Sequence, residues 1–302
     1  MTTDGRSPSV AVVGPGAIGG ALAGAAAASD PTGLIICART GFSRLIVDHP
    51  NGRVDTPVTT VTDRSGLAPV EVVILAVKAH QTDGAKHWLS SLVGPDTVVA
   101  IAQNGVEHID RVRPLVPDGT ELIPAVIWCP AEREGPGRIV VTGAGHLTVP
   151  RSPAADRLAA CLDETVFGIR QTDNWVSRAW DKLMMNAAVG GLGVLTGRPG
   201  RDLCRDPALA DLLLQLMNEA AAVARAEGAD IPADRAQQMV TAMADGGAHV
   251  SSIVVDRLAG LPTEWDARNA VIERLADRHG IDVPLNRWIS ALIRLGEPDR
   301  GS

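Results

Sequence analysis

Apolar residues follow two different rhythms along this chain, and the change between them divides it. Up to about Thr172, short uninterrupted apolar runs alternate with polar or glycine-containing turns. They are SVAVV from Ser9, GLIICA over Gly33–Ala38, EVVILAV over Glu71–Val77, DTVVAIA over Asp96–Ala102 and LIPAVIWC over Leu122–Cys129. Runs this short, bounded by Gly, Pro and polar residues, fit strands buried on both faces, as in a parallel sheet. A shorter strand is predicted at Val58–Val61, just after Pro57. Two more are predicted at Gly137–Thr142 and Gly145–Val149, joined by a turn at Gly143–Gly145. A helix over Ala154–Leu162 and an edge strand at Gly168–Gln171 complete this part. Beyond Thr172 the apolar spacing becomes helical, over Asn174–Leu192, Pro207–Glu227, Pro232–Ala244, Glu264–His279 and Asn286–Leu295. The expected architecture is an α/β domain over residues 1–172 followed by an all-α domain over residues 173–302, with no internal repeat or low-complexity linker.

The first strand runs into GPGAIGG and then into an alanine-rich helix, which puts Gly14, Gly16 and Gly19 in G-x-G-x-x-G spacing. Strand, glycine turn and helix in that order form the phosphate-binding element of a Rossmann dinucleotide fold. Gly14 permits the tight turn, Gly16 admits a pyrophosphate against the backbone, and Gly19 lets the helix pack on the strand. The amides of Ala17, Ile18 and Gly19 then open the helix toward the anion, aided by its dipole. The second strand ends at Arg39, where an NAD-preferring fold would carry an acidic residue; Asp30 falls too early, before the strand. A guanidinium pairs with a 2'-phosphate, so the expected cofactor is NADPH/NADP+. Lys78 follows the strand Glu71–Val77, at the sheet edge where such folds bind ligands. His80 beside it is read as a cap or surface residue. Asn104, before Gly105, is either a turn former or a hydrogen-bonding group for substrate or nicotinamide.

The stretch WDKLMMNAAVGGLGVLTG, Trp180–Gly197, reads as a buried helix carrying one lysine. Only three of the chain's 28 basic residues are lysines, Lys78, Lys86 and Lys182. A compact ammonium can be tuned and can give up a proton, which a guanidinium does not do, so a retained lysine in apolar company points to chemistry. Asn186 lies four residues on and shares the Lys182 face. Farther along, Ser251, Ser252 and Glu264 stand at expected helix starts, where capping is the simplest role for each.

With 302 residues, 45% of them hydrophobic, the chain can bury the cores of two domains. A formal charge of −7 without a long basic run argues against nucleic acid as a partner. Cys37, Cys129, Cys161 and Cys204 lack the paired spacing of a zinc site or a disulfide framework, which fits a reducing, cytoplasmic setting and no bound metal. MTTDGRSPS lacks the pattern of a signal peptide, and no apolar run is long enough to span a bilayer. G-x-S-x-G, P-loop and H-E-x-x-H motifs do not occur.

Taken in order, GPGAIGG, AVKAHQT, AQNGVEH, WDKLMMN with a following LTGRP, and HVSSIVVDRLAGLPTEWDARN resemble the ketopantoate reductases over nearly the whole chain, from about Ser9 to Leu295. The resemblance implies a Rossmann domain, a helical domain and a substrate cleft between them, and NADPH-dependent reduction of a 2-oxo acid to a 2-hydroxy acid. By the same resemblance Lys182 is the acid that serves the ketone and Glu264 supports the site. Asn104, Asn186 and Ser252 bind substrate; Ser251 is one residue too far from Glu264. Lys78 lies by cofactor and substrate, Arg39 binds the extra phosphate, and Asn104 and Glu264 also line the cofactor. The expected partners are a small-molecule 2-oxo acid and a second copy of the chain in a homodimer. One departure stands out: Gly190 occupies the place of a second family asparagine, one helical turn beyond Asn186. Losing that donor shifts the expectation from 2-dehydropantoate alone to a related, bulkier 2-oxo acid or ketone as well. Two other readings are a dehydrogenase of the 3-hydroxyacid or 6-phosphogluconate type and a catalytically silent regulator that senses NADP(H).

Overall fold

The computed structural model describes residues 10–247 and 250–298; the polar N-terminal segment, including Ser9, and His249 lie outside them. The chain divides into two units. The first comprises residues up to Gln103 together with Glu107–Trp175, and the second comprises Asn104–Val106 together with the chain from Val176 onward.

In the first unit, six short strands form one parallel sheet in the order Thr59–Val61, Leu34–Cys37, Val10–Val13, Val72–Leu75, Val98–Ile101, Glu121–Pro124. Successive residues of a strand face opposite sides, and both sides are covered. Val10 and Val12 join one core, with Leu34, Ile36 and Ile74, while Ala11 and Val13 join the other, with Leu75, Trp88, Leu89 and Ile101. This double burial is why the four central strands, Leu34–Cys37, Val10–Val13, Val72–Leu75 and Val98–Ile101, read as apolar runs.

The helix Ala17–Ser29 packs on the first of these faces, and its other side is covered by a second sheet. That sheet has the order Ala131–Gly135, Arg138–Val141, Arg44–His49, Gly52–Pro57. A helix with a layer on each side has no solvent face, so its small residues run all round it. Any Cβ at Gly20 would stand 2.5 Å from the Ile139 side chain, and one at Gly24 would stand 2.7 Å from Val47 Cγ2. A third sheet, in the order Phe167–Thr172, Gly145–Pro150, Val126–Trp128, completes the unit.

Four strand assignments differ from the sequence reading, the first being Ala131–Gly135, whose largely polar sequence AEREG gives no apolar run. Leu122–Cys129 is two strands, Glu121–Pro124 in the parallel sheet and Val126–Trp128 in the third. The chain changes sheets just after Pro124: the Ala125 amide still donates to the Ile101 carbonyl at 3.1 Å, and from Val126 the strand pairs in the third sheet. Gly143–Gly145 does not join a paired hairpin. The strand before it pairs with Ala131–Gly135 and Arg44–His49, and the strand after it with Phe167–Thr172 and Val126–Trp128. The hairpin Arg44–Pro57 has no counterpart in the sequence pattern, because Gly52–Pro57 has the polar sequence GRVDTP and lies largely exposed at a sheet edge.

The second unit is helical among its described residues. The helix Trp175–Thr196 contributes Trp180, Leu183, Met184, Ala187, Ala188 and Leu192 to its core. Around it stand the helices Gly200–Arg205, Pro207–Ala226, Arg235–Asp245, Ser252–Leu258, Val271–His279 and Pro284–Leu295. Asp181 takes a two-pronged bond from Arg235, at 2.8 and 2.9 Å, which fixes the start of the long helix. Asp266–Ala270 is a turn of π-helix leading into Val271–His279, a wider winding than the α-helix predicted from Glu264. Such turns hold one extra residue and recur at functional sites. Here the π turn is tied to the long helix: Asn269 donates to the Ala187 carbonyl at 3.0 Å.

All four cysteines are free, and burial pushes the Cys37 thiol up to about 12. Among the described residues no helix is long and apolar enough to cross a membrane, and no group of three or more His, Cys, Asp or Glu could hold a metal ion.

Candidate active site

The glycine turn has the geometry its spacing implies. Gly14 takes φ +89°, a left-handed value that glycine adopts without strain, and its amide donates to the Cys37 carbonyl at 3.1 Å. A side chain there would also meet Val77, with Cγ1 at 2.6 Å. Gly19 faces the Gly14 carbonyl so closely that a Cβ would overlap it, and Ala76 Cβ closes the other side at 3.0 Å. Gly16 differs from both, being exposed with no atom within 4 Å of where its Cβ would lie. It caps the helix without a side-chain bond, and no acidic residue occupies the first turn, so the amides of Ala17, Ile18 and Gly19 have no capping side chain. Open space above Gly16 next to uncapped amides is what a pyrophosphate needs.

Arg39 follows Ala38 at the carboxyl end of Leu34–Cys37 and is exposed. Lys78 lies beyond the carboxyl end of Val72–Leu75, half-buried, and precedes the short turn Ala79–Gln81. Both cations therefore stand at the same edge of the parallel sheet as the glycine turn.

In the second unit, Lys182 and Asn186 lie on one stripe of the helix Trp175–Thr196, with Gly190 one turn farther on. The sequence predicts a buried Lys182, yet it is half-buried, as is Asn186, while Leu183 and Met184 between them are fully covered. Lys182 and Asn186 thus lie at the margin of the core, each partly exposed beside fully covered apolar neighbours.

Glu264 is 4% exposed and accepts from Asn104 Nδ2 at 2.9 Å. This bond turns Asn104 Nδ2 toward the carboxyl group and leaves Oδ1 to face elsewhere. Gly105 makes this approach feasible, with φ +104° and room for a Cβ only 2.8 Å from the Ala267 carbonyl. The segment before Glu264 is held by Glu297, which accepts from the Thr263 amide at 2.9 Å, from Thr263 Oγ1 at 2.6 Å and from Arg257 at 3.1 Å.

The sequence pattern does not reveal one residue of this group. Arg268, four residues after Glu264, is 2% exposed, and its guanidinium donates to Ser251 Oγ at 3.2 Å and Ser252 Oγ at 2.8 Å. Its Nη2 lies 4.0 Å from Glu264 Oε2. Burial pushes the guanidinium below its ordinary value, opposed by the carboxylates of Glu264 and Asp256. Ser251 occupies the cap position of the helix Ser252–Leu258 but makes no side-chain cap bond. Both serine hydroxyls, read from the sequence as caps, are thus engaged by Arg268. The available signals are the four-residue spacing to Glu264 and the glycine at 190, since a buried arginine is not marked among so many others.

Known proteins match both halves of the chain. Residues 10–154 match the family model described as ketopantoate reductase PanE/ApbA, and residues 174–297 match its C-terminal counterpart. A 2-dehydropantoate 2-reductase of Caulobacter vibrioides is 39% identical over 289 residues, covering 94% of this chain and 98% of its own. One from Mycobacterium tuberculosis is 36% identical over 301 residues, covering 94% and 96%. The crystal structure of a PanE/ApbA family ketopantoate reductase from Ralstonia eutropha JMP134, 29% identical, aligns with a TM-score of 0.85 over 95% of this chain and 98% of that one. With a family model matched in each half and relatives at this identity over nearly its full length, the chain belongs to the ketopantoate reductase family.

Proposed function

We propose that the protein reduces a 2-oxo acid, 2-dehydropantoate or a related keto acid, to the 2-hydroxy acid with NADPH. The observation that carries this reading is the occurrence, in one unit, of half-buried Lys182 and Asn186 on one helical stripe and a buried Glu264 bonded to Asn104. NADPH, when bound, supplies the hydride. Gly14, Gly16 and the amides of Ala17, Ile18 and Gly19 hold its pyrophosphate, Arg39 pairs with its 2'-phosphate, and Lys78 lines the cofactor side. Lys182 donates a hydrogen bond to the carbonyl oxygen, stabilises the negative charge developing on it and then transfers a proton to it. Asn104 and Asn186 orient the keto acid, Ser252 holds its carboxylate, and Glu264 keeps Asn104 in place. In this reading residues 1–172 bind the cofactor and residues 173–302, together with Asn104, bind the substrate.

The test is NADPH oxidation against a panel of 2-oxo acids that includes 2-dehydropantoate, with 3-hydroxy acids and NADP+ as the contrasting arm. Failure to reduce any 2-oxo acid sinks the reading. Gly190 favours a second version, in which the best substrate is a 2-oxo acid other than 2-dehydropantoate; the ranking within the panel decides between them.

Arg39→Ala gives an independent measure of cofactor choice. Losing a charged hydrogen bond to the 2'-phosphate costs about 1.5–3 kcal/mol, so KM for NADPH should rise roughly 10- to 150-fold. KM for NADH should stay nearly constant. Equal effects on both cofactors would remove Arg39 from phosphate recognition.

A further inference from the structure

Gly190 leaves space, and Arg268 reaches it. A Cβ at position 190 would lie 2.9 Å from Ile253 Cγ2, 3.3 Å from Ser251 Oγ and 3.6 Å from Arg268 Nη1. The stripe that carries Lys182 and Asn186 therefore ends against a guanidinium and a serine hydroxyl, where a longer side chain at 190 would displace one or the other.

The hydrogen bonds have a fixed direction. A guanidinium only donates, so both serine oxygens must accept from Arg268, and each O–H hydrogen is left to point at some other acceptor. Arg268 itself is buried with its Nε bonded to no described group, and its nearest carboxylate oxygen, 4.0 Å away on Glu264, already accepts from Asn104. Two oriented hydroxyls backed by a buried cation with unfilled donors make a receptor for an anion.

We infer that Arg268 is a positioning and specificity-determining residue that turns Ser251 and Ser252 into a carboxylate receptor at the Gly190 end of the Lys182 stripe. The inference rests on the 2-oxo acid reading above and deepens it by naming the group that orients the serines and biases the site toward an acid. The substrate carboxylate accepts from the two hydroxyls, and the positive charge behind them raises the preference for an acid over a neutral ketone of the same shape. The role that the family gives to an amide at position 190 is then filled from the opposite side by a charge.

The experiment compares 2-dehydropantoate with its neutral lactone in the wild type, Arg268→Met, Arg268→Lys and the double variant Ser251→Ala/Ser252→Ala. Arg268→Met should raise KM for the acid roughly 30-fold with kcat nearly unchanged, and leave kcat/KM for the lactone within about 3-fold. Arg268→Lys, which keeps the charge, should recover part of the loss. The serine double variant should reproduce the same split, and adding Arg268→Met to it should change little more. If acid and lactone suffer alike, or neither changes, the inference is overturned. Should Arg268→Met not fold, the serine variant, whose residues are less buried, answers the same question. If the wild type reduces no 2-oxo acid, the functional reading fails separately, and calorimetric binding of oxamate in the presence of NADP+ then decides the receptor. Binding that is lost in the serine variant sustains it, while no binding to the wild type, or binding that persists in the variant, refutes it.

Discussion

Replacing Lys182 with alanine is expected to lower kcat about a thousandfold, within the range for removing a general acid that also stabilises developing charge. NADPH affinity should stay within about twofold, because Lys182 is not among the groups proposed to hold the phosphates. The fold should survive, since Lys182 is half-buried and the core is built by Trp180, Leu183 and Met184 around it. Lys182→Arg sharpens the test. A guanidinium keeps its positive charge but does not release a proton, so it restores little activity if proton donation matters and much if charge alone does. Steady-state turnover with fluorescence titration of NADPH checks both parts. Near-normal turnover in the alanine variant would remove Lys182 from the chemistry.

The second large effect is expected from the glycine turn, where Gly16 and Gly19 should fail in different ways. At Gly19 a methyl group overlaps the Gly14 carbonyl and meets Ala76, so backbone must shift. Gly19→Ala should weaken NADPH binding at least about a hundredfold and lower the melting temperature by several degrees, because it opens the turn and forces strain into a packed helix end. At Gly16 the protein places nothing in the way. Gly16→Ala should melt like the wild type yet bind NADPH roughly tenfold or more weakly, since the methyl stands where the pyrophosphate would approach. Binding and melting curves for the two variants separate a defect in the protein from a defect toward the ligand. Equal behaviour would contradict the open cradle at Gly16.

The parts of this molecule visible in its sequence share a physical cause. Strands buried on both faces must be apolar throughout, so Val10–Val13, Val72–Leu75 and Val98–Ile101 stand out as runs. Lys182 stands out through the rarity of its type, and the ordered motifs place Asn186 and Glu264 beside it in expectation. What stays hidden depends on partners far along the chain. The hairpin Arg44–Pro57 is exposed on one strand and so has no apolar run to betray it. Asn104 is fixed by a carboxylate 160 residues away, which no local window contains. Arg268 looks like surface charge until Gly190 and the two serines are placed around it.

The π turn at Asp266–Ala270 also bears on how such a site could be gained or lost. It winds one residue more than an α-helix would over the same span, and each residue of an α-helix advances the chain by about 100°. Deleting one codon there would rotate everything upstream by that angle while leaving Val271, Leu275 and the helix behind them seated in their core. Glu264 would swing off Asn104 and Arg268 off its serines in the same stroke. A lineage of such chains thus stands a single small deletion away from a protein that still folds and has lost the proposed carboxylate receptor.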